Sequence, residues 1–364
     1  MYSKSYTDYA DSLNKIDKDL IKKVCASIDF GIHDPLEYHG VNLFLLDLTT
    51  NSATGTFKDW VAGYTVAHCI QHNIPGFVTQ SSGNFANSIA HFANKFGIKV
   101  TILYPRLSRY KIISEGHSDQ YIKFIEVDKA EKEIKALTEE LCAYLSLPWL
   151  PAFEHQVESN KIRAHFVQEY SSLKHIHFDY MSQALSSGFG IFGFYRGVCE
   201  TEYFRINNSP AFIGIQQSMV PPFYRYIYNS NGYEPDREMI EPTLFRSAPP
   251  VSFLEEMKNI VETSDGCIDL LYPEEFDLYL PVAESLFHER EIEITRIGGK
   301  IVEKSGLIAL IGALKLIDSA RIRIGSNVLV SVTGGTANGK RGDYIPERIL
   351  NKCDSKEKLF NLIS

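Results

Sequence analysis

From about residue 40 the chain alternates short runs of β-branched and aromatic residues with longer segments whose apolar positions recur at helical spacing. This is the pattern of parallel strands joined by covering helices. The short runs predict strands over 41–48, 76–80, 98–104, 121–127, 178–185, 211–216 and 327–332. The longer segments predict helices over 56–72, 85–96, 129–144, 160–172, 251–261, 273–289 and 303–319, with others near 108–115 and from the turn at 186–190 to about 200. In the helix over 85–96, Ile89, Phe92, Ala93 and Phe96 share one face, and Gly97 supplies a C-cap. Leu147 to Pro151 contains two prolines and marks a crossing between lobes. Residues 218–250, rich in Pro, Tyr and Asn, have no period and predict a long irregular excursion of the functional kind.

Length adds a division. A chain of 364 residues exceeds what one core usually fills, so two α/β lobes are expected, each a mostly parallel twisted sheet covered by helices. The larger is placed at 1–61 plus 161–364 and a smaller mobile one at 62–160. Charge then narrows the partners: a formal net charge of −8 with no run of Lys or Arg argues against nucleic acid and anionic membranes and for small molecules. The first twenty residues lack the apolar region of a secretory signal, and the most apolar stretch, 308–317, is too short to span a bilayer and contains Lys315. Six cysteines are scattered without a C-x-x-C pair. Together these features predict a cytoplasmic protein without structural disulfides.

Four segments carry candidate chemistry. Lys58 stands in Ala53-Thr54-Gly55-Thr56-Phe57-Lys58-Asp59-Trp60, and three Gly/Ser segments follow far along the chain: Ser81-Ser82-Gly83-Asn84, Ser186-Ser187-Gly188-Phe189-Gly190 and Ser331-Val332-Thr333-Gly334-Gly335. A Gly-rich turn opening a helix presents backbone N–H groups and the positive end of the helix dipole, which suits a phosphate. The turn at 186–190 is of that kind, or else a plain tight βα loop; being neither G-x-G-x-x-G nor a Walker sequence, it indicates neither a dinucleotide nor ATP. Ser81 and Ser82 with the next helix N-terminus suit a carboxylate and Asn84 a ring hydroxyl, the bland reading being an ordinary N-cap. His68 and His72 have i, i+4 spacing but no H-E-x-x-H acid, and His175 and His177 have no further ligands, so no metal is expected. Cys69 is read as a small apolar helix residue rather than a nucleophile. The tyrosines of the excursion, Tyr224, Tyr226, Tyr228 and Tyr233, fit a lid, an oligomer surface or a packed loop.

In this order the segments resemble the fold-type II pyridoxal-phosphate enzymes, the tryptophan synthase β-subunit superfamily. Phe57-Lys58-Asp59 is closest to threonine synthases, and Ser81 to Asn84 is similar to the substrate-carboxylate loop of threonine and cysteine synthases. Ser186 to Gly190, with Gly193 and Arg196-Gly197, looks like their phosphate loop. Glu303-Lys304-Ser305-Gly306 and Val332-Thr333-Gly334-Gly335 look like their C-terminal substrate and pyridine-nitrogen segments.

The resemblance implies pyridoxal 5'-phosphate held between two lobes, with Lys58 forming the Schiff base and moving the α-proton. A free Lys has a pKa of about 10.4, so that role needs a depressed value. It further implies that Asn84 bonds the ring hydroxyl and that Ser186, Ser187, Gly188, Phe189 and Gly190 hold the phosphate. Thr333 would face the pyridine nitrogen, and Ser81, Ser82, Gly83, Asn84, Phe85 and Ser305 would line the amino-acid substrate. A neutral hydroxyl at the nitrogen makes the ring a weaker electron sink and favours loss or replacement of a β-substituent, with a γ-variant as in threonine synthase. A threonine or serine dehydratase is the first alternative. Two departures, Trp60 where these families usually carry Arg and Phe189 where Gly is usual, keep open a non-catalytic homologue that binds an amino acid or a protein partner. A homodimer is expected because the related enzymes are commonly dimers.

Overall fold

The computed structural model describes every residue except 82, 114–117, 207, 231–237, 247, 335–344, 353 and 364. The chain divides into two compact units, one of Met1–Ser5, Asp29–Asn51 and Asn160–Thr336, the other of Tyr6–Ile28, Ser52–Ser159 and Ala337–Ser364. Along the chain come β1 (Tyr2–Ser5), α1 (Lys18–Val24), β2 (Asp29–Ile32), β3 (Leu36–Tyr38) and β4 (Val41–Asp47). Next are α2 (Lys58–Gln71), β5 (Gly76–Gln80), α3 (Asn84–Phe96), β6 (Lys99–Pro105), β7 (Ile122–Val127), α4 (Glu131–Leu145) and α5 (Phe153–Glu158). Then follow α6 (Ile162–Lys174), β8 (Tyr180–Ala184), α7 (Phe189–Glu200), α8 (Glu202–Ile206), β9 (Ala211–Gln217), α9 (Pro222–Tyr228), α10 (Val251–Thr263), β10 (Cys267–Leu271) and α11 (Pro273–Glu289). A hairpin of β11 (Arg296–Ile297) and β12 (Lys300–Ile301) precedes α12 (Ser305–Asp318), β13 (Asn327–Val332), β14 (Ile349–Leu350) and α13 (Lys356–Asn361).

The first unit is built on one sheet of order β1-β2-β4-β13-β8-β9-β10, with β3 paired to β4. Its five strands β4, β13, β8, β9 and β10 run parallel, and β1, β2 and β3 are antiparallel additions at the β4 side. Helix α12 is its core element: Leu307, Ile308, Leu310, Ile311, Leu314 and Leu316 are all buried, each contributing roughly 1.5–3 kcal/mol of transfer free energy. The Ser182 hydroxyl on β8 donates to the Ala309 carbonyl at 2.8 Å. A side chain at Gly312 would place its Cβ 2.3 Å from Ile215 Cδ1 on β9, so glycine lets the helix lie close on the sheet. Gly312→Ala is expected to overpack this contact and lower unfolding stability by about 1–3 kcal/mol, read from the midpoint of urea unfolding. An unchanged midpoint would show that Ile215 can turn aside.

The second unit carries a four-stranded parallel sheet of order β14-β7-β6-β5. Its core joins Val78, Leu103, Ile125 and Val127 of the strands to Ile134 and Leu141 of α4 and to Leu350 and Leu359 near the C-terminus. Both units are therefore α/β, with helices covering mostly parallel sheets, as the alternating pattern predicts. Gly97 ends α3 in the left-handed conformation, φ 70°.

Several elements differ from expectation. The helix predicted near 108–115 is instead a 3-10 helix, Arg106–Lys111, with 114–117 outside the described residues. Its three-residue turn puts Arg106 and Arg109 on one side, and both donate to the buried Glu126 carboxylate of β7. The excursion at 218–250 is not wholly irregular: Pro222 starts α9 at a position where a missing N–H costs nothing, and a 3-10 turn spans Pro242–Leu244. The Tyr224 and Tyr228 rings pack there at a tilt, 4.8 Å apart, and the Ile268 N–H of β10 donates to the Tyr228 hydroxyl at 3.0 Å. Tyr233 lies outside the described residues. Strand β10 itself, Cys-Ile-Asp-Leu-Leu, was not expected, because Asp269 interrupts a short apolar run. Among the described residues no helix is long and apolar enough to cross a membrane.

Candidate active site

In the second unit, the turn before Lys58 is held by its own polar side chains. The Thr54 N–H and hydroxyl donate to the two Asp59 carboxylate oxygens at 2.9 and 2.6 Å, and the Lys58 N–H donates to Thr56 Oγ1 at 2.9 Å. Thr54, Thr56 and Asp59 are buried. Burial pushes the Asp59 carboxyl above its ordinary value, while the Thr54 hydrogen bonds pull it back. This clamp fixes Lys58 as the first residue of α2, half-buried, with its ammonium 4.5 Å from the centre of the Phe57 ring. The position sets a cation at the positive end of the α2 dipole, the end that disfavours positive charge.

The same clamp reaches the Ser/Gly loop. Thr54 Oγ1 lies 2.9 Å from Ser88 Oγ on α3, and the Ser88 hydroxyl also sits 3.1 Å from the Asn84 carbonyl, to which it donates. Ser81 follows β5 and is buried, and its Oγ accepts the Gly83 N–H at 3.3 Å. Gly83, at φ 126°, turns the chain into α3, which opens at Asn84 and Phe85, both half-buried. The structure thus brings Lys58 together with the loop that carries Ser81, Gly83, Asn84 and Phe85; Ser82 lies outside the described residues.

In the first unit, the turn Ser186 to Gly190 and the segment after β13 leave the C-terminal ends of neighbouring parallel strands, β8 and β13. Ser186 and Ser187 are half-buried, and Gly188 takes φ 83°. The first intrahelical bonds of α7 are donated by Ile191 and Phe192 to the Gly188 carbonyl, so the Gly188, Phe189 and Gly190 N–H groups lie at the helix start. The Phe189 ring packs edge-on against Phe253 of α10 at 5.3 Å and against Phe192 at 6.3 Å. Its bulk therefore goes into an aromatic cluster of the unit while its N–H stays at the helix start. Trp60 is likewise a packing residue, fully buried with its ring 5.3 Å from Tyr6 in the second unit.

Thr333 and Ser305 form the other corner of the first unit. The Thr333 hydroxyl donates to Ser305 Oγ at 3.3 Å, and both residues are buried. Gly306 permits this meeting: its N–H donates to the Gly334 carbonyl at 3.0 Å, and a Cβ there would stand 2.6 Å from that oxygen. Gly335 lies outside the described residues.

Three positioning groups take roles that the sequence did not reveal, two of them from within the motifs. Asp59 is one. Glu303, fully buried, accepts the Ser305 N–H at 2.9 Å and so caps α12. Glu241, also buried, accepts the Lys304 N–H at 3.1 Å and ties the end of the excursion to the same corner. A buried acid in a turn segment was the available signal, but sequence alone does not separate it from a solvated one.

Within the first unit, a left-handed glycine cradle with helix N–H groups suits a phosphate, and a buried neutral hydroxyl pair suits a heteroaromatic nitrogen. Within the second, a primary amine beside a Ser/Gly loop suits an aldehyde. The His68 and His72 rings lie tilted at 4.4 Å and those of His68 and His155 at 4.3 Å, yet among the described residues no group of His, Cys, Asp or Glu has the arrangement to hold a metal ion. Burial, reinforced by the neighbouring His68, pushes the His155 imidazole down to about 4, which marks it as a neutral packing residue.

The family model described as pyridoxal-phosphate dependent enzyme matches residues 33–334. Cysteate synthase of Methanococcoides burtonii is 22% identical over 290 residues, 78% of this chain and 66% of that protein, so the chain spans just under two thirds of the relative's length. Maize serine racemase superposes with a TM-score of 0.64 at 17% identity, covering 89% of this chain and 96% of that one. The processed form of threonine deaminase isoform 2 from Solanum lycopersicum superposes with a TM-score of 0.62 at 13% identity, covering 92% and 84%. At these identities the superpositions speak for the fold alone.

Proposed function

The chain belongs to the pyridoxal-phosphate dependent enzyme family, and from that premise we propose that it eliminates or replaces a leaving group on the β- or γ-carbon of an amino acid. When bound, pyridoxal phosphate supplies an electron sink that acidifies the α-proton of a linked amino acid. Lys58 would hold the cofactor's aldehyde carbon, and its amine would move the α-proton of the substrate. The N–H groups of Gly188, Phe189 and Gly190, with Ser186, Ser187 and the α7 dipole, bind the phosphate. Asn84 bonds the ring hydroxyl, and Ser81, Ser82, Gly83 and Phe85 line the site of the substrate carboxylate.

The observation that carries this reading is the buried pair of Thr333 and Ser305 hydroxyls. Facing the ring nitrogen, this neutral hydroxyl would not hold it protonated, which would favour loss of a β-substituent over prolonged storage of charge on the ring. Glu303 lies in that corner, and one of its oxygens is engaged by the Ser305 N–H. Thr333→Asp is expected to raise exchange of the α-proton with solvent, relative to product formed, by about tenfold. Deuterium washout followed by mass spectrometry reads the ratio; an unaltered ratio would detach Thr333 from the ring nitrogen.

The function is tested by supplying O-phosphoserine, O-phosphohomoserine and O-acetylserine in turn, with and without a thiol or sulfite nucleophile. A new amino acid that appears only with nucleophile supports replacement. Release of ammonia and a 2-oxo acid from serine or threonine would instead indicate a dehydratase. Binding of pyridoxal phosphate without turnover of any of these would indicate a non-catalytic homologue.

A further inference from the structure

Arg163, on α6, is among the largest fully buried side chains of the protein. One of its NH groups donates to Gln183 Oε1 on β8 at 2.6 Å, and the other donates to the Gly190 carbonyl in the first turn of α7. Its guanidinium carbon lies 6.0 Å from the centre of the Phe194 ring. Gly197 sets this geometry: a Cβ there would stand 2.7 Å from the Lys161 carbonyl and 2.8 Å from Ala164 Cβ, so α6 and α7 lie nearly backbone to backbone. Arg163 is thereby held beside Gly190 with no path to solvent. Burial pushes its guanidinium down to about 9, which still leaves it charged at neutral pH.

A cation in this place is doubly unfavourable. It has left water, and it lies beside the N-terminus of α7, where the helix dipole is already positive and the Gly188, Phe189 and Gly190 N–H groups add their own positive ends. The same arrangement turns favourable when a dianion sits on the turn, because the buried charge, the dipole and the N–H groups then all face opposite charge at low dielectric.

We infer that Arg163 is a positioning residue for the cofactor phosphate: it fixes the Gly190 peptide and adds a buried positive charge behind the phosphate turn. The inference rests on the reading of Ser186 to Gly190 as that turn, and it assigns to one arginine a large share of the preference for the phosphorylated cofactor over its unphosphorylated form.

The test compares apo wild type with Arg163→Met, Arg163→Gln and Arg163→Lys, each titrated with pyridoxal phosphate and with pyridoxal by absorbance. The ratio of the two dissociation constants is the readout, because a packing defect weakens both ligands alike. Arg163→Met and Arg163→Gln are expected to cut the preference for the phosphorylated form by about tenfold, and Arg163→Lys, which keeps the charge, to retain most of it. Inorganic phosphate is expected to raise the thermal unfolding midpoint of wild type and of Arg163→Lys more than that of Arg163→Gln. Should Arg163→Met fail to fold, Arg163→Gln, which keeps a donor for Gly190, carries the comparison. A ratio unchanged in the neutral variants, or equal losses for both ligands, would overturn the role of Arg163. Absence of any phosphate preference in wild type would instead overturn the phosphate turn itself.

Discussion

Lys58→Ala is expected to abolish covalent attachment of pyridoxal phosphate and to lower turnover by about 10³-fold or more, because one side chain supplies both the attachment point and the proton carrier. Borohydride reduction followed by intact-mass measurement reads attachment directly: wild type should gain the mass of one reduced cofactor and the variant none, and its visible absorbance should disappear. A competing amine in the same unit is Lys111, which is wholly buried and packs against the Ser/Gly loop after β5, 3.1 Å from where a Cβ of Gly83 would stand. Lys111→Ala is therefore the control and should keep the label. Labelling that survives in Lys58→Ala and vanishes in Lys111→Ala would move the nucleophile to residue 111. The clamp of Thr54 and Asp59 argues for Lys58, since it orders the turn that presents this amine at the start of α2.

Gly188→Val is expected to weaken binding of pyridoxal phosphate by about 10²-fold, equivalent to about 2.7 kcal/mol, and to cost roughly 1–3 kcal/mol of fold stability. Gly188 sits at φ 83°, where a β-branched residue is strained whatever the surrounding space. An added Cβ would also stand 2.8 Å from Phe192 Cζ and 3.0 Å from Met257 Cε. Met257 can move aside, but the Phe192 ring is held by Phe189 and Phe253, so the backbone must give. The first turn of α7 then loses the alignment of its N–H groups. Equilibrium titration with the cofactor and urea unfolding separate the two effects. A variant that binds as tightly as wild type would show that this turn does not hold the phosphate.

Much of the fold is legible in the sequence because its signals are local. The strand predicted over 76–80 and the helix predicted over 273–289 coincide with β5 and α11, where an apolar run or a Pro start defines the ends. The misread elements depend on distant partners. The 3-10 helix Arg106–Lys111 takes its form while two of its arginines share Glu126, and β10 is a strand because it pairs with β9 despite Asp269. The site divides in the same way. Lys58, the loop starting at Ser81, the turn at 186–190 and Thr333 stand out as motifs, since turn chemistry and a reactive amine are written in consecutive residues.

What the sequence alone determined is the alternation of strands and helices, the α/β class and the family with its cofactor. Only the tertiary structure decided which ordinary polar residues serve those motifs. Thr54 meets Ser88 across 34 positions, Arg163 meets Gly190 across 27 and Glu241 meets Lys304 across 63. Nothing in the neighbourhood of a lone Arg or Glu tells whether it ends in water or in the core. That outcome is set when packed helices bring its partner to it, and the high cost of burying an unpaired charge then makes the pairing obligatory.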